Sequence, residues 1–254
     1  MKRWINWIAL VVVFSVACGF LANWQLSRRE AKLASINLVT ENYKDPIVAV
    51  EDMLDGGKFN LPECTWRRVS LVGYYQAEEM LLVRNRPNNG QPGFEQLVPF
   101  TTLSGKSFLI SRGWIPTGSN QDLPDIIPVI PSETITVVGR ILPSEPVLER
   151  GAPQGQIASI NPALASQITD IPTVTNGYLR LVTEESKYPK DLTKMPSPSI
   201  EEGNNLSYAL QWVLFALMAM SALFWRIRRD RELETGVAKA KKKSRAELDA
   251  EAED

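Results

Sequence analysis

The stretch Arg84 to Pro116, RNRPNNGQPGFEQLVPFTTLSGKSFLISRGWIP, lies between two apolar runs near the chain ends and governs how the rest is read. Asn88-Asn89-Gly90 and Pro92-Gly93 predict a turn, because Gly and Asn tolerate positive φ and Pro removes a backbone donor. Beyond the turn, Phe94, Gln96 and Val98 alternate with Glu95 and Leu97, and after Ser104-Gly105 the run Ser107 to Ser111 is again apolar with a β-branched residue. Two strands joined by a short turn account for that pattern. Arg84, Arg86 and Arg112 flank these turns and have two readings. They are solvated strand-end charges, or they form a rim facing an anion, a task suited to the planar guanidinium fork.

Working outward, Arg67 to Tyr75, Met80 to Arg84, Thr134 to Ile141 and Tyr178 to Thr183 carry further strand signals. Asn161-Pro162 reads as the cap and first residue of a short helix. Asp45-Pro46 reads as the start of another, Ile47 to Leu54, closed by Gly56-Gly57. Many strands at short spacing predict a mainly antiparallel sheet or partly closed barrel. The proline-rich stretches Asp122 to Pro131 and Tyr188 to Pro198 read as loops.

Trp4 to Ser27 and Asn204 to Trp225 contain no Asp, Glu, Lys or Arg. Each approaches or exceeds the roughly 20 residues that a helix needs to cross a hydrocarbon core of about 30 Å. The predicted organisation is therefore a transmembrane helix at 4–27, an exported β-rich domain at 28–203, a second transmembrane helix at 204–225 and a charged tail at 226–254. The fold class is a membrane protein in which two transmembrane α-helices flank an α+β domain, mainly antiparallel β and barrel-like. Residues Arg28 to Tyr43 continue the first helix beyond the apolar run. Trp4, Trp7 and Trp24 bracket that run as interfacial anchors do. Ser15-Val16-Ala17 offers a signal-peptide cleavage site, whereas the continuation of the run to Trp24 favours an uncleaved anchor. Lys2 and Arg3 before the first run, and Arg226, Arg228, Arg229 and Arg231 after the second, place both termini in the cytoplasm. Arg28, Arg29 and Lys32 weaken that asymmetry. The tail, with Lys241 to Lys243 and the acidic run Glu247 to Asp254, reads as a solvated helix that frays.

A net charge of −1 argues against a nucleic-acid partner. The chain has no histidine, which removes His-based triads, His metal sites and proximal-His haem ligation. Cys18 and Cys64 give no disulfide framework and read as free thiols. There is no P-loop, GxGxxG or CxxC motif. Glu78-Glu79 and Glu184-Glu185 are sequence neighbours, which a strand sends to opposite faces, so they make poor acid-base pairs. The expectation is a protein that is not an enzyme.

Several elements, in this order, resemble the Surfeit locus protein 1 family. They are Trp24-Gln25-Leu26-Ser27-Arg28, Val72-Gly73-Tyr74, Asn85-Arg86 with Gly90 and Pro92-Gly93, Ser111-Arg112-Gly113-Trp114-Ile115-Pro116, Val138-Gly139-Arg140 and Tyr208-Ala209-Leu210-Gln211-Trp212. The resemblance covers the chain up to Arg231. It implies a cytochrome c oxidase assembly factor in a bacterial inner membrane, with the central domain periplasmic. The implied partners are the haem-bearing subunit of a terminal oxidase and the haem a synthesis enzyme. It also marks Arg86, Arg112, Trp114, Trp24, Gln25 and Arg28 as partner-binding positions. Family members carry a histidine three residues before the tyrosine of the last motif, a candidate contact for haem a. Here that position is Asn205, which leaves Tyr208 as the candidate haem contact on this helix and shifts the expected role toward protein contacts. The alternative is a membrane-anchored scaffold or sensor whose exported domain binds another protein without any haem role.

Overall fold

In the computed structural model, which describes residues 2–185, 187–198 and 200–251, with side chains between residues 4 and 236, the expected hairpin forms the spine of a barrel. Its strands are β6 (Gly93–Thr102) and β7 (Ser107–Pro116), joined by a tight turn at Ser104-Gly105. The Asn88 to Gln91 turn precedes them. Asn89 and Gly90 have φ of 49° and 79°, and Asn88 and Gln91 exchange backbone hydrogen bonds, which makes a two-residue hairpin turn.

The remaining strands are β1 (Val48–Ala49), β2 (Leu54–Asp55), β3 (Lys58–Phe59), β4 (Arg68–Tyr75), β5 (Leu81–Val83), β8 (Ile135–Pro143), β9 (Gln156–Ile157) and β10 (Gly177–Glu184). The main sheet runs β1-β4-β8-β10-β7-β6-β5-β9, and a further pairing of β4 with β6 closes five of these strands into a barrel. In chain order the barrel strands neighbour one another as first, second, third, fifth, fourth and back to first. This is a five-stranded Greek-key barrel with the connectivity of OB-type folds. Its pairings are antiparallel except β7 with β10. Closure brings β4 against β6 at Gly73, where an added Cβ would lie 2.1 Å from the Thr101 carbonyl oxygen. Only a residue without a side chain fits there.

Val69, Leu71, Val98, Phe100, Phe108, Ile110, Val137, Ile141, Leu179 and Leu181 fill the barrel. The alternate residues Leu97, Leu109, Leu142 and Tyr178 face outward, but β5, β9 and the helix α2 (Pro162–Thr169) cover them with Leu81, Val83, Ile157, Ile160 and Ala165. Coverage of both faces leaves nearly every position of β6 and β7 buried, including the polar Glu95, Gln96, Ser111 and Arg112. Asn161 caps α2 as expected, its Oδ1 accepting from the Leu164 amide at 2.9 Å. The helix expected over Ile47 to Leu54 is instead β1, a 3₁₀ turn over Val50–Met53 and β2. Parallel pairing of Val48 and Ala49 with Val69 and Ser70 overrides the local helical signal.

The chain divides into two units, residues 36–200 holding the barrel and residues 1–35 with 201–254 holding two long helices. Helix α1 (Lys2–Lys44) continues well past the apolar run, as expected, and helix α3 spans Asn205–Glu251. Both are long and apolar enough to cross a membrane, and the most apolar windows are only 11% and 6% buried, unlike those of core helices. They run antiparallel. Arg226 lies over the Trp7 ring at 5.6 Å, and Arg29 pairs with Glu202 at 2.8 Å. The small residues Cys18, Ala22 and Ala209 are the buried ones, as close packing of apolar helices requires. The side chains of Lys2, Arg3, Lys241 to Lys243 and the acidic run from Glu247 lie outside the described residues.

Candidate functional site: two sets of arginines

Arg112 sits on a β-bulge. Gln96 pairs with Gly113 and Leu97 with Ser111, so Arg112 is the extra residue on β7, and a bulge re-aims the side chain that it carries. A second bulge on β10 has Val182 as the extra residue between Leu181 and Thr183. It reverses the alternation and brings Glu184 onto the face of its partner Val137, the barrel interior. The two bulges bring the charges together. Arg112 Nε and Nη2 donate to Glu184 Oε1 and Oε2 at 2.7 and 3.0 Å, a two-pronged pair. Arg112 Nη1 donates to Gln96 Oε1 at 2.6 Å and to the Val129 carbonyl at 3.2 Å, and the Tyr75 hydroxyl donates to Glu184 Oε1 at 2.7 Å.

Arg112 is 1% exposed and paired with Glu184, so it is not a solvated strand-end charge. Burial lowers its proton affinity, but the hydrogen bonds and charge of Glu184 outweigh that and leave it raised. Burial, then the Glu184 charge, pushes Tyr75 well above the usual phenol range.

Arg86 belongs to a matching cluster on the outer face of the same hairpin. Its Nε lies 3.3 Å from Glu95 Oε1, and its Nη2 donates to Glu145 Oε2. Ser111 Oγ donates to Glu95 Oε2 at 2.5 Å. The Trp114 indole N–H donates to the Arg86 carbonyl at 2.6 Å, and Trp114 is 5% exposed, a core aromatic that ties the Arg86 turn to β7. Burial opposes the Arg86 charge, and Glu145 and Glu95 more than restore it. Arg84 is half-buried on the turn before. Sequence reasoning missed Glu95, Glu145 and Glu184 as partners, because each pairing spans a strand register or bulge that no local pattern encodes.

A different set of arginines was also missed. Arg68 on β4 pairs with Arg140 on β8, Arg140 with Arg180 on β10, and Arg180 with Ser111 on β7, so three guanidinium side chains occupy one rung on the outer face. A cavity of ≈ 140 Å³ opens over Arg140 and Arg180 of this rung, lined also by Tyr43, Trp66, Arg112, Tyr188 and Lys194, with no Asp or Glu among its lining residues. Arg140 stacks 3.4 Å above the Tyr43 ring and Arg180 5.2 Å from the Trp66 ring. Burial holds Arg140 below the usual guanidinium range; Tyr43 opposes this in part and Arg68 adds to it. Tyr188, pushed up to about 12 by burial, donates its hydroxyl to the Arg112 carbonyl and links the two sets.

On the helical unit, Trp24 is 46% exposed with Arg28 5.1 Å from its ring, and Gln25 is half-buried beside them. Tyr208 is half-exposed in the first turn of α3, where its amide donates to the Asn204 carbonyl, which makes Asn204 the cap residue. At this helix start Asn205 offers an amide, a poor iron ligand, and the chain has no imidazole, which leaves the Tyr208 phenol as the one side chain of this turn with a ligand chemistry known for haem iron. Among the described residues no group of three or more His, Cys, Asp or Glu is placed to hold a metal.

The SURF1 family model matches residues 12–217, a span that takes in the barrel and most of the apolar part of both long helices. A SURF1-like protein of Mycobacterium bovis is 30% identical over 223 residues, covering 84% of this chain and 80% of that protein. A SURF1-like protein of Rickettsia bellii is 25% identical over 232 residues, covering 87% of this chain and 88% of its own length. With the family match running across both units and a relative 30% identical over most of its length, the chain belongs to the SURF1 family.

Proposed function

We propose that this chain is a membrane-anchored assembly factor for a haem–copper terminal oxidase of the cytochrome c oxidase type. In this reading it helps the haem-bearing subunit mature through protein contacts and not as an enzyme, and the haem a synthesis enzyme is a second partner. The observation that carries the reading is the family match across residues 12–217, which takes in most of both apolar runs as well as the barrel. The protein lies in a bacterial inner membrane with both termini cytoplasmic and the barrel in the periplasm. Supporting that orientation, Arg29 is paired with Glu202, which offsets a charge on the barrel side and leaves the Arg226 to Arg231 cluster dominant. The protein-contact role is favoured by the absence of histidine and by Asn205 at the family's histidine position.

The test is deletion of the gene with purification of the tagged protein from membranes. Loss of oxidase activity on deletion and co-purification of the haem-bearing subunit support the reading; unchanged oxidase activity refutes it. Alkaline phosphatase fused after Gly118 is expected to be active and after Gly236 inactive, and the reverse pattern contradicts the orientation.

A further inference from the structure

The rung formed by Arg68, Arg140 and Arg180 carries charge that the protein itself does not neutralise. Among the described residues none of the three makes an ion pair; Arg68 Nη2 is spent on the Asp45 carbonyl at 3.0 Å, and Arg140 Nη1 on the Trp66 and Tyr43 carbonyls at 2.8 and 3.3 Å. Among the described residues Arg180 donates from Nη1, to the Pro196 carbonyl at 3.2 Å, and its buried Nε meets no partner. Like charges directly opposite on neighbouring strands are destabilising. A guanidinium cannot shed its proton to relieve the strain. Arg140 is only 9% exposed, so water does little to screen it.

We infer that the cavity over Arg140 and Arg180 is a binding site for an oxyanion, a carboxylate or phosphate. Arg180 Nη2 has no hydrogen bond among the described residues, and with the buried, unpartnered Nε it leaves one edge of the guanidinium to an oxyanion. Lys194, with its ammonium 4.9 Å from the Tyr188 ring, adds a further cation to the lining. Tyr43, Trp66 and Tyr188 supply apolar walls. The cavity volume of ≈ 140 Å³ is close to that of an engineered cavity of about 150 Å³ that holds one benzene. It therefore admits the anionic head and a few carbons and not a large cofactor. Two sources present this chemistry, a free small anion and a phospholipid headgroup. The site stands apart from the oxidase reading.

The test uses the full chain in a neutral detergent, with thermal unfolding followed as inorganic phosphate or benzoate is added, and in parallel in nanodiscs of phosphatidylcholine with or without phosphatidylglycerol. A ligand at a hundredfold excess over its Kd is expected to raise the midpoint by about 5–10 °C. Arg180→Met is expected to remove most of that shift, and Arg180→Lys, which keeps the charge but not the fork, to retain less than half. Stabilisation of the wild type by phosphate or benzoate, lost in Arg180→Met, establishes the site and a soluble source. Stabilisation by phosphatidylglycerol alone, also lost in Arg180→Met, establishes the site with a headgroup as source. No stabilisation by any probe, or an equal shift in wild type and Arg180→Met, overturns the proposal. Should Arg180→Met fail to fold, Lys194→Met with Arg180→Lys serves in its place, with the same two outcomes.

Discussion

The barrel contains two sets of buried or half-buried arginines that differ in one respect, the presence of carboxylates. Arg112 and Arg86 are matched by Glu184, Glu95 and Glu145, while Arg68, Arg140 and Arg180 form no ion pair among the described residues. The matched set lies where two bulges and a turn must be held in register. Of the unmatched set, Arg140 and Arg180 line a cavity, which Arg112 also borders with its fork already held by Glu184. A guanidinium met by a two-pronged carboxylate has its donors used and serves the fold, whereas one left with free donors in a low-dielectric wall is poised to accept an anion from outside. Motif membership alone does not separate the sets: Arg112 and Arg140 both fall in family motifs, and only the surrounding carboxylates tell them apart.

The largest expected effect comes from breaking a matched arginine. Arg112→Ala leaves Glu184 buried with its charge uncompensated, and removal of one partner from such a pair costs about 3–5 kcal/mol. The variant is expected to fall steeply in membrane abundance, with oxidase activity falling in step, as quantitative blotting beside an activity assay would record. Normal abundance with lost activity would move Arg112 into the partner-facing group.

Alkaline titration probes the same region from the tyrosine side. Tyr178, at 3% exposure, is pushed up to about 12 by burial. Between about pH 10 and 12 the unfolded chain has released this proton while the folded one retains it, so the unfolded state binds fewer protons and stability falls as pH rises. The stabilisation is complete below about pH 10 and declines by about 3 kcal/mol through the folded value. Tyr75, raised by burial and Glu184, acts in the same direction. Tyrosinate absorbance at 295 nm should therefore show a slow fraction that ionises only as circular dichroism reports unfolding. A single early titration of all tyrosines would contradict the packing around both residues.

A smaller effect is expected at the joint between the two sets. A Cβ on Gly113 would lie 2.3 Å from Tyr188 Oη and 3.0 Å from Leu192 Cβ. Gly113→Ala should cost about 1–3 kcal/mol, read as a lowered melting midpoint. Pairing it with Tyr188→Phe, which removes the clashing oxygen, should recover part of the loss.

Much of this fold was legible in the chain. The Asn88 to Gln91 turn, the two hairpin strands, the cap at Asn161 and the two apolar helices each announce themselves within about ten to twenty residues, the range over which turn chemistry and periodicity act. The candidate site was less legible. Arg112 meets Glu184 across 72 positions of sequence and only because Val182 bulges. The rung of Arg68, Arg140 and Arg180 depends on the register of three strands whose pairing is set by barrel closure. Of the arginines singled out in the sequence, Arg86 and Arg112 turn out to be paired with carboxylates, and the guanidinium groups without an ion pair among the described residues stand elsewhere. The one misread element, Ile47 to Leu54, failed for the same reason, since a neighbouring strand and not local propensity decided its conformation.

The most direct test of the central claim compares Arg112→Met with Arg180→Met in the purified full-length protein, without added anion. Each replaces a guanidinium by an apolar side chain, so the difference reports what the charge was doing. The account predicts a melting midpoint lowered by about 10 °C for Arg112→Met and unchanged within about 2 °C for Arg180→Met, because the second removes a like-charge contact as well as a side chain. Equal losses in the two variants would contradict it, since both arginines would then be structural and the distinction between matched and unmatched sets would fail.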